Sequence, residues 1–181
     1  MPTLLQVFDK TVLDIFNKDI KNTVFDVLFP LITRFGEIVV VFPLCLLIYF
    51  LDKKNGKRIT TLLVIAYLLS RISSLILKYL THRPRPFMTY PDINVIGRAT
   101  FSSFPSGHAT LVAALAVVLG RKYKDWQWLF WLIVALVSIS RMYMGLHYPT
   151  DTVVGIIIGL VIGYTTNTLE TLYDRLRKKE A

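Results

Sequence analysis

Five apolar stretches separated by short charged segments restrict this chain of 181 residues to few folds. A helix that crosses a bilayer needs about 17–25 predominantly apolar residues. The five stretches cover residues 37–51, 59–80, 107–119, 126–139 and 152–172. The third and fourth are short, so polar residues at their ends must lie at membrane depth, packed on protein. The pattern predicts an all-α membrane protein.

The composition excludes several other classes of protein. Hydrophobic residues make up 54% of the chain and charged residues 18%, with a mean hydropathy of +0.52. These values exclude a disordered chain, a coiled coil and a disulfide scaffold. The single cysteine, Cys45, lies inside an apolar run, so no disulfide and no thiolate metal site is expected. The net charge of +9 falls between the apolar runs, which favours anionic lipid rather than nucleic acid as a partner.

Three basic segments predict the orientation of the spans. Residues 52–58, 120–125 and 174–181 carry 4, 3 and 4 Lys or Arg residues. Five spans place these segments on one side, which the positive-inside rule makes cytoplasmic, together with the C-terminus. The connections 81–106 and 140–151 then face outward. All three histidines lie in or beside these connections, together with arginines that topology does not explain.

Residues 1–35 form a separate N-terminal region in this interpretation. Apolar residues recur at helical spacing between residues 4 and 16, with charged residues between them. This spacing predicts an amphipathic helix that lies in the membrane interface. A second helix, residues 22–35, leads into the first span or forms a sixth. The predicted fold is an all-α, polytopic membrane bundle of five to six transmembrane helices (residues 36–181) with an N-terminal amphipathic helix.

The first candidate motif follows the second apolar stretch. Lys78 lies near the end of a hydrophobic helix, where an ammonium group must snorkel or find an anion. Arg85 follows seven residues later, and Pro84 and Pro86 force an extended backbone that holds its side chain in a fixed direction. Alone, the motif is equally compatible with basic residues that anchor a span, which is our interpretation of the neighbouring Arg83.

The second candidate motif is a helix start. Ser106 is a natural N-cap, and Gly107 removes a side chain where the first unpaired N–H groups point outward. Such a helix start is an anion site. His108 stands next to it and can give a proton. Alone, the motif also fits an ordinary capped helix with an incidental histidine.

The third candidate motif combines a cation, an imidazole and a carboxylate. Arg141 ends the fourth apolar stretch, His147 lies in a tight loop bounded by glycine and proline, and Asp151 opens the next helix. A carboxylate four residues after an imidazole can accept the Nδ1–H bond, which leaves Nε2 free as a nucleophile or base. Alone, Asp151 also fits a helix-start acid beside a loop histidine.

Together, the three motifs supply what phosphoryl transfer needs. Three cations and the amides of a helix start can hold three phosphate oxygens, one imidazole can attack, and another can protonate the leaving oxygen. This reasoning leaves open whether His147 or Ser106 is the nucleophile. A metal ion is disfavoured because the outward connections offer only Asp92 and Asp151 as carboxylates, and the cations would repel Mg²⁺. No cofactor is expected.

These motifs resemble the three signature motifs of the type-2 phosphatidic acid phosphatase (PAP2) superfamily. Every signature position is filled in order, by Lys78-x6-Arg85-Pro86, Pro105-Ser106-Gly107-His108 and Ser140-Arg141-x5-His147-x3-Asp151. The resemblance implies that His147 attacks phosphorus and forms a phosphohistidine, that Asp151 orients it, and that His108 is the general acid. It also implies that the phosphoryl oxygens are held by Lys78, Arg85, Ser106, Gly107 and Arg141.

The leading prediction is an integral membrane phosphatase acting on a lipid phosphate or pyrophosphate, without metal, at the outer face of the inner membrane. The candidate substrates are undecaprenyl pyrophosphate, lipid A 1-phosphate, phosphatidylglycerophosphate and phosphatidic acid. Tyr90, Arg98 and Phe101, in the loop between the first two motifs, are further candidates for contact with the headgroup. The alternatives are an anion transporter or channel and a catalytically silent lipid-binding protein. The oligomeric state is left open.

Overall fold

The computed structural model describes residues 2–99 and 102–179. Phe101 and the last two residues of the basic segment 174–181 therefore lie outside the described residues. Within the described ranges the regular structure is helical, with no strand. The α-helices in chain order are α1 (Leu4–Asp14), α2 (Thr23–Ile32), α3 (Ile38–Leu51), α4 (Gly56–Thr81), α5 (Pro86–Thr89), α6 (Gly107–Lys122), α7 (Gln127–Tyr143) and α8 (Pro149–Lys179).

Helices long and apolar enough to cross a membrane are fewer than the predicted spans. Three described segments qualify by length and composition, namely 56–89, 124–143 and 149–179. Helices α2 and α3 qualify only as a pair, bent by 56° at a short break. Helix α6 has 16 residues, which is less than a spanning helix needs. The described residues thus hold three candidate spans, or four if the bent pair is one span.

Helix α6 is the centre of the bundle. Every residue from 109 to 120 is buried, because α4, α7 and α8 pack around this helix. Helix α8 approaches it most closely through Gly155, Gly159 and Gly163, one residue in four. A Cβ on Gly159 would lie 2.4 Å from the carbonyl oxygen of Thr110, so only glycine permits this contact. The close packing brings the first turn of α8 against the first turn of α6.

The three basic segments meet at one end of the bundle. The hydroxyl of Tyr123 donates to Asp52 at 3.0 Å. Lys122 pairs with the buried Glu170 at 2.6 Å, and Arg58 contacts the same carboxylate. Arg58 also contacts Asp174. The segments 52–58, 120–125 and 174–179 are therefore neighbours in space, although they are far apart along the chain. The three candidate motifs lie at the opposite end.

The N-terminal helix and the turn that follows it present a buried stripe with two polar residues to the protein. Thr3 caps α1, and Asp9, Leu13 and Asn17 are buried at a spacing of four residues. The side chain of Asn17 donates to the carbonyl oxygen of Tyr143 at 2.7 Å. The exposed side of α1 is apolar and consists of Leu4, Leu5, Val7 and Phe8. Such an outward apolar face suits contact with lipid.

Candidate active site

His147 lies in the loop between α7 and α8 and is only 2% exposed. Its Nδ1 atom lies 3.5 Å from Oδ2 of Asp151, and its Nε2 atom lies 3.3 Å from Nη1 of Arg85. One ring nitrogen thus faces a carboxylate and the other faces a cation. The contact with Asp151 is longer than a hydrogen bond, and such contacts often tighten only when substrate binds.

The backbone of this loop explains why the imidazole is so closely held. The N–H groups of Leu146 and His147 both donate to the carbonyl oxygen of Arg141, at 3.1 and 3.3 Å. Gly145 has a φ of +69°, in the left-handed region. A Cβ there would also lie 2.4 Å from the carbonyl oxygen of Asn94. Glycine is therefore required at the turn that aims the histidine.

Two cations of the first motif lie beside His147. Arg85 donates through Nη1 to the carbonyl oxygen of Leu146 at 2.8 Å and through Nη2 to that of Ser102 at 3.3 Å. Lys78 donates to the carbonyl oxygens of Ser102 and Ser103, at 2.7 and 3.3 Å. Backbone carbonyl oxygens orient both side chains, and these oxygens carry no net charge. Lys78 and Arg85 therefore bring positive charge to the surroundings of His147.

Arg141 is the third cation of the cluster and is almost fully buried. Its Nη1 donates to the hydroxyl of Thr33 at 3.0 Å. Its Nε is buried and has no hydrogen-bond partner in the part of the chain that the structure describes. A buried donor without a partner costs free energy. A bound phosphate oxygen would remove this cost.

The start of α6 is built as an N-cap. The hydroxyl of Ser106 accepts from the N–H of Ala109 at 3.5 Å, and the N–H of Ser106 donates to the carbonyl oxygen of Asp151 at 3.0 Å. A Cβ on Gly107 would meet only Ser74, at an ordinary contact distance of 3.5 Å. Packing therefore does not require glycine at this position. The first N–H groups of α6 have no carbonyl partner within the helix, as at any helix start.

His108 follows on α6, at the edge of an outer cavity. Its Nε2 lies 3.5 Å from Oε1 of Glu37. The ring rests on Gly36, where a Cβ would lie only 2.6 Å from Cδ2 of the imidazole. The bend between α2 and α3 thus sets the position of His108.

Burial is the main cause of a lowered pKa at His147. Loss of hydration disfavours the charged imidazolium, and Arg141, Arg85 and Lys78 add repulsion. The pKa consequently lies well below the ordinary value of 6.5. The ring is therefore neutral at neutral pH, which is the form that can act as a nucleophile.

Asp151 belongs to a buried network that extends to the N-terminal helix. Its Oδ2 accepts from the N–H of Tyr148 at 2.9 Å, and its Oδ1 accepts from Nη1 of Arg83 at 2.6 Å. Nη2 of Arg83 donates to Asp9 at 2.5 Å. Asp9, which is 1% exposed, also accepts from the N–H of Thr150 at 3.0 Å. Helix α1 is thus joined to the carboxylate that faces His147.

Sequence reasoning missed this network. It interpreted Arg83 as an interfacial residue, but the guanidinium lies between two buried carboxylates. The buried stripe of Asp9, Leu13 and Asn17 is a signal that could have shown a polar face turned inward. No local signal identifies Thr33, which contacts Arg141 across 108 residues of sequence.

The catalytic and phosphate-binding residues predicted from the three motifs lie at one end of the bundle. The first motif contributes Lys78 and Arg85 from the end of α4 and the following loop, and the third contributes Arg141, His147 and Asp151. The second motif places Ser106, Gly107 and His108 between them. Among the described residues, no three His, Cys, Asp or Glu side chains are arranged to hold a metal ion.

Comparison with known proteins identifies the family. The model of the PAP2 superfamily matches residues 59–173. An undecaprenyl-diphosphatase of Sulfolobus acidocaldarius is 31% identical over 142 residues, which cover 77% of this chain and 68% of the relative. The bacitracin transport permease protein BcrC of Bacillus licheniformis is 31% identical over 141 residues, which cover 76% of this chain and 69% of the relative. The crystal structure of Aquifex aeolicus LpxE has a TM-score of 0.81 and 26% identity, covering 88% of this chain and 94% of that one. The chain therefore belongs to the PAP2 superfamily.

Proposed function

We propose that this PAP2 protein is a membrane hydrolase that releases phosphate from a lipid phosphate or pyrophosphate through a phosphohistidine. The observation that carries the proposal is the orientation of His147, with Nδ1 facing Asp151 and Nε2 facing Arg85. A phosphoryl group bound by the cations would therefore lie against Nε2. Phosphoryl transfer depends mainly on such positioning and charge stabilisation.

In this mechanism His147 attacks phosphorus while the leaving oxygen departs on the side of His108. Lys78, Arg85 and Arg141 hold the phosphoryl oxygens, with help from the hydroxyl of Ser106 and the N–H of Gly107. His108 protonates the leaving oxygen, and water then attacks the phosphohistidine and releases phosphate. Asp151 orients His147 and stabilises the charge that develops on its ring.

An apolar groove beside the site supports a lipid substrate. The groove lies between α3, α6 and α7 and has a volume of about 550 Å³. It borders the site closely, because Val112 in the groove lies one turn after His108, and Phe35 follows Arg34 of the outer cavity. An acyl or prenyl chain in this groove would bring its phosphate to the cations. The remaining groove residues include Val40, Leu44, Leu115, Leu119, Phe130 and Ile133.

The membrane arrangement is also part of the proposal. Helices α4, α7 and α8 cross the inner membrane as full-length spans, and the shorter helices α3 and α6 cross it packed against them. Residues 1–35 lie at the outer interface. The end with the three basic segments faces the cytoplasm, as the positive-inside rule predicts. The site then opens at the outer side, and residues 36–181 form the membrane-embedded catalytic domain.

The direct test is phosphate release by the detergent-solubilised protein with a panel of lipid phosphates, in the presence of EDTA. We expect release from at least one lipid phosphate or diphosphate and no effect of the chelator. Absence of release from every lipid would contradict the proposal and favour the transporter or the silent lipid-binding protein. Loss of activity in EDTA would contradict the metal-free mechanism.

Asp9→Asn is expected to lower kcat about tenfold to a hundredfold with little change in KM. The substitution weakens the hold of Asp9 on Arg83, so Asp151 and the imidazole lose their fixed orientation. The matched control is Asp14→Asn, on the same helix, where the carboxylate pairs with Lys10 and Lys18 near the surface. Equal losses of kcat in both variants, or loss of folded protein without an effect on kcat per folded molecule, would contradict a positioning role.

The lowered pKa of His147 makes a separate prediction. In ¹⁵N NMR spectra of the protein in detergent micelles, its ring is expected to stay neutral well below pH 6.5, where free histidine titrates. Since the unfolded chain binds this proton and the folded chain does not, the free energy of unfolding should decrease as the pH falls through about 6.5. Lys78, Arg85, His108, Arg141 and Asp151 face the ring, and a titration near pH 6.5 would contradict their arrangement.

A further inference from the structure

The outer cavity beside His108 is lined by more basic residues than the three motifs contribute. It has a volume of about 520 Å³, and its wall contains Arg34, Arg98, Arg141, His108 and Glu37. Arg34 comes from the turn between α2 and α3, and Arg98 comes from the loop between α5 and α6. Neither belongs to a signature motif. Three guanidinium groups therefore line this space against a single carboxylate.

Among the described residues, no protein partner accounts for Arg34 or Arg98. In residues 2–99 and 102–179, neither side chain makes an ion pair or a hydrogen bond. Glu37 lies 3.5 Å from His108 rather than pairing with an arginine. Both arginines are exposed residues that line the cavity, and no carboxylate among the described residues pairs with either of them. A cavity with this excess of positive charge favours a second anionic group of the ligand.

The position of His108 says which part of the substrate would enter the outer cavity. His108 is the proposed acid for the leaving oxygen, so the leaving group lies on its side of the phosphorus. A lipid alcohol leaves as an alkoxide, which needs a proton and brings no further charge. A lipid monophosphate, in contrast, leaves with up to two negative charges and needs cations. Arg34 and Arg98 supply the cations that a departing lipid monophosphate needs.

We propose that the outer cavity binds the inner phosphate of a lipid diphosphate, and that Arg34 and Arg98 determine this specificity. The inference rests on the proposed function. Nε2 of His147 bonds to the terminal phosphorus, and the bridging P–O bond breaks with its electron pair on the oxygen of the departing lipid monophosphate. Water then hydrolyses the phosphohistidine to inorganic phosphate and neutral His147. One water is consumed for each diphosphate cleaved.

The experiment compares farnesyl diphosphate with farnesyl monophosphate, which share one apolar chain. The variants are Arg34→Gln, Arg98→Gln and the double variant, with Arg175→Gln near the opposite end as the matched control. We expect each single variant to lower kcat/KM for the diphosphate about tenfold and the double variant about a hundredfold, as for the loss of charge-assisted hydrogen bonds. Turnover of the monophosphate should change less than about threefold, which also shows that the variants are folded.

Each contrary outcome has a distinct meaning. Equal losses on both substrates, or no loss on the diphosphate, would overturn the specificity role of the two arginines. A wild-type protein that cleaves the monophosphate better than the diphosphate would overturn the assignment of the substrate class. Both results leave the phosphatase proposal standing. If the wild type released phosphate from neither farnesyl substrate and from no other lipid phosphate tested, that result would contradict the proposed function itself.

Discussion

His147→Ala is expected to lower kcat for phosphate release by about 10³-fold or more, to the level of the background assay. The substitution removes the proposed nucleophile, Nε2, which is the ring atom that faces Arg85. The cations would still bind the phosphate, so the substrate should bind to the variant with similar affinity. Phosphate release and equilibrium binding are therefore measured on the same preparation.

The matched control for this variant is His82→Asn. His82 ends α4 with a φ of +46°, and asparagine is among the residues that adopt this conformation most readily. Its activity should remain within about twofold of the wild type. If His147→Ala retained more than about a tenth of the activity, His147 would not be the nucleophile and Ser106 would become the alternative.

Arg85→Lys is expected to lower kcat/KM by about 10²-fold although the charge is conserved. The guanidinium of Arg85 makes two directed contacts and also approaches Nε2 of His147. Lysine offers a point charge on a flexible stem and cannot reproduce this fork. The expected loss corresponds to about 2.7 kcal/mol of transition-state stabilisation.

Arg121→Lys is the matched control for the guanidinium geometry. Arg121 also makes a fork, to the carbonyl oxygen of Asn167 and the hydroxyl of Thr171, both at 2.8 Å, but at the opposite end of the bundle. This variant should lose some thermal stability and keep its kcat/KM. If Arg85→Lys were as active as the control, Arg85 would not hold the phosphoryl group.

Site residues that are close together along the chain could be recognised from the sequence. His147 and Asp151 are four residues apart across a helix start, and Ser106 and His108 share the first turn of α6. Local spacing was enough to predict that the members of each pair lie near each other, whereas the hydrogen bond from Nδ1 of His147 to Asp151 stays a prediction. Lys78 is far from His108 and His147 along the chain. It could still be identified as a candidate, because a phosphate site needs cations.

Contacts between distant segments could not be predicted in the same way. Asp9 and Arg83 are 74 residues apart and meet only because α1 packs on the loop before α8. Hydropathy likewise does not distinguish an apolar helix in lipid from one inside protein. The span predicted at 107–119 corresponds to α6 in the structure. This helix is enclosed by other helices and can therefore be short. For this reason fewer helices qualify as spans by length than the apolar stretches predicted.

The phosphohistidine itself can be detected directly. The wild type would be mixed with a lipid diphosphate carrying a radiolabelled terminal phosphate, quenched in alkaline denaturant during turnover, and digested to peptides. We expect a label that is stable in base, labile in acid and confined to the peptide containing His147. A label on the peptide containing Ser106, or turnover without any labelled peptide, would contradict the central claim that this imidazole attacks phosphorus.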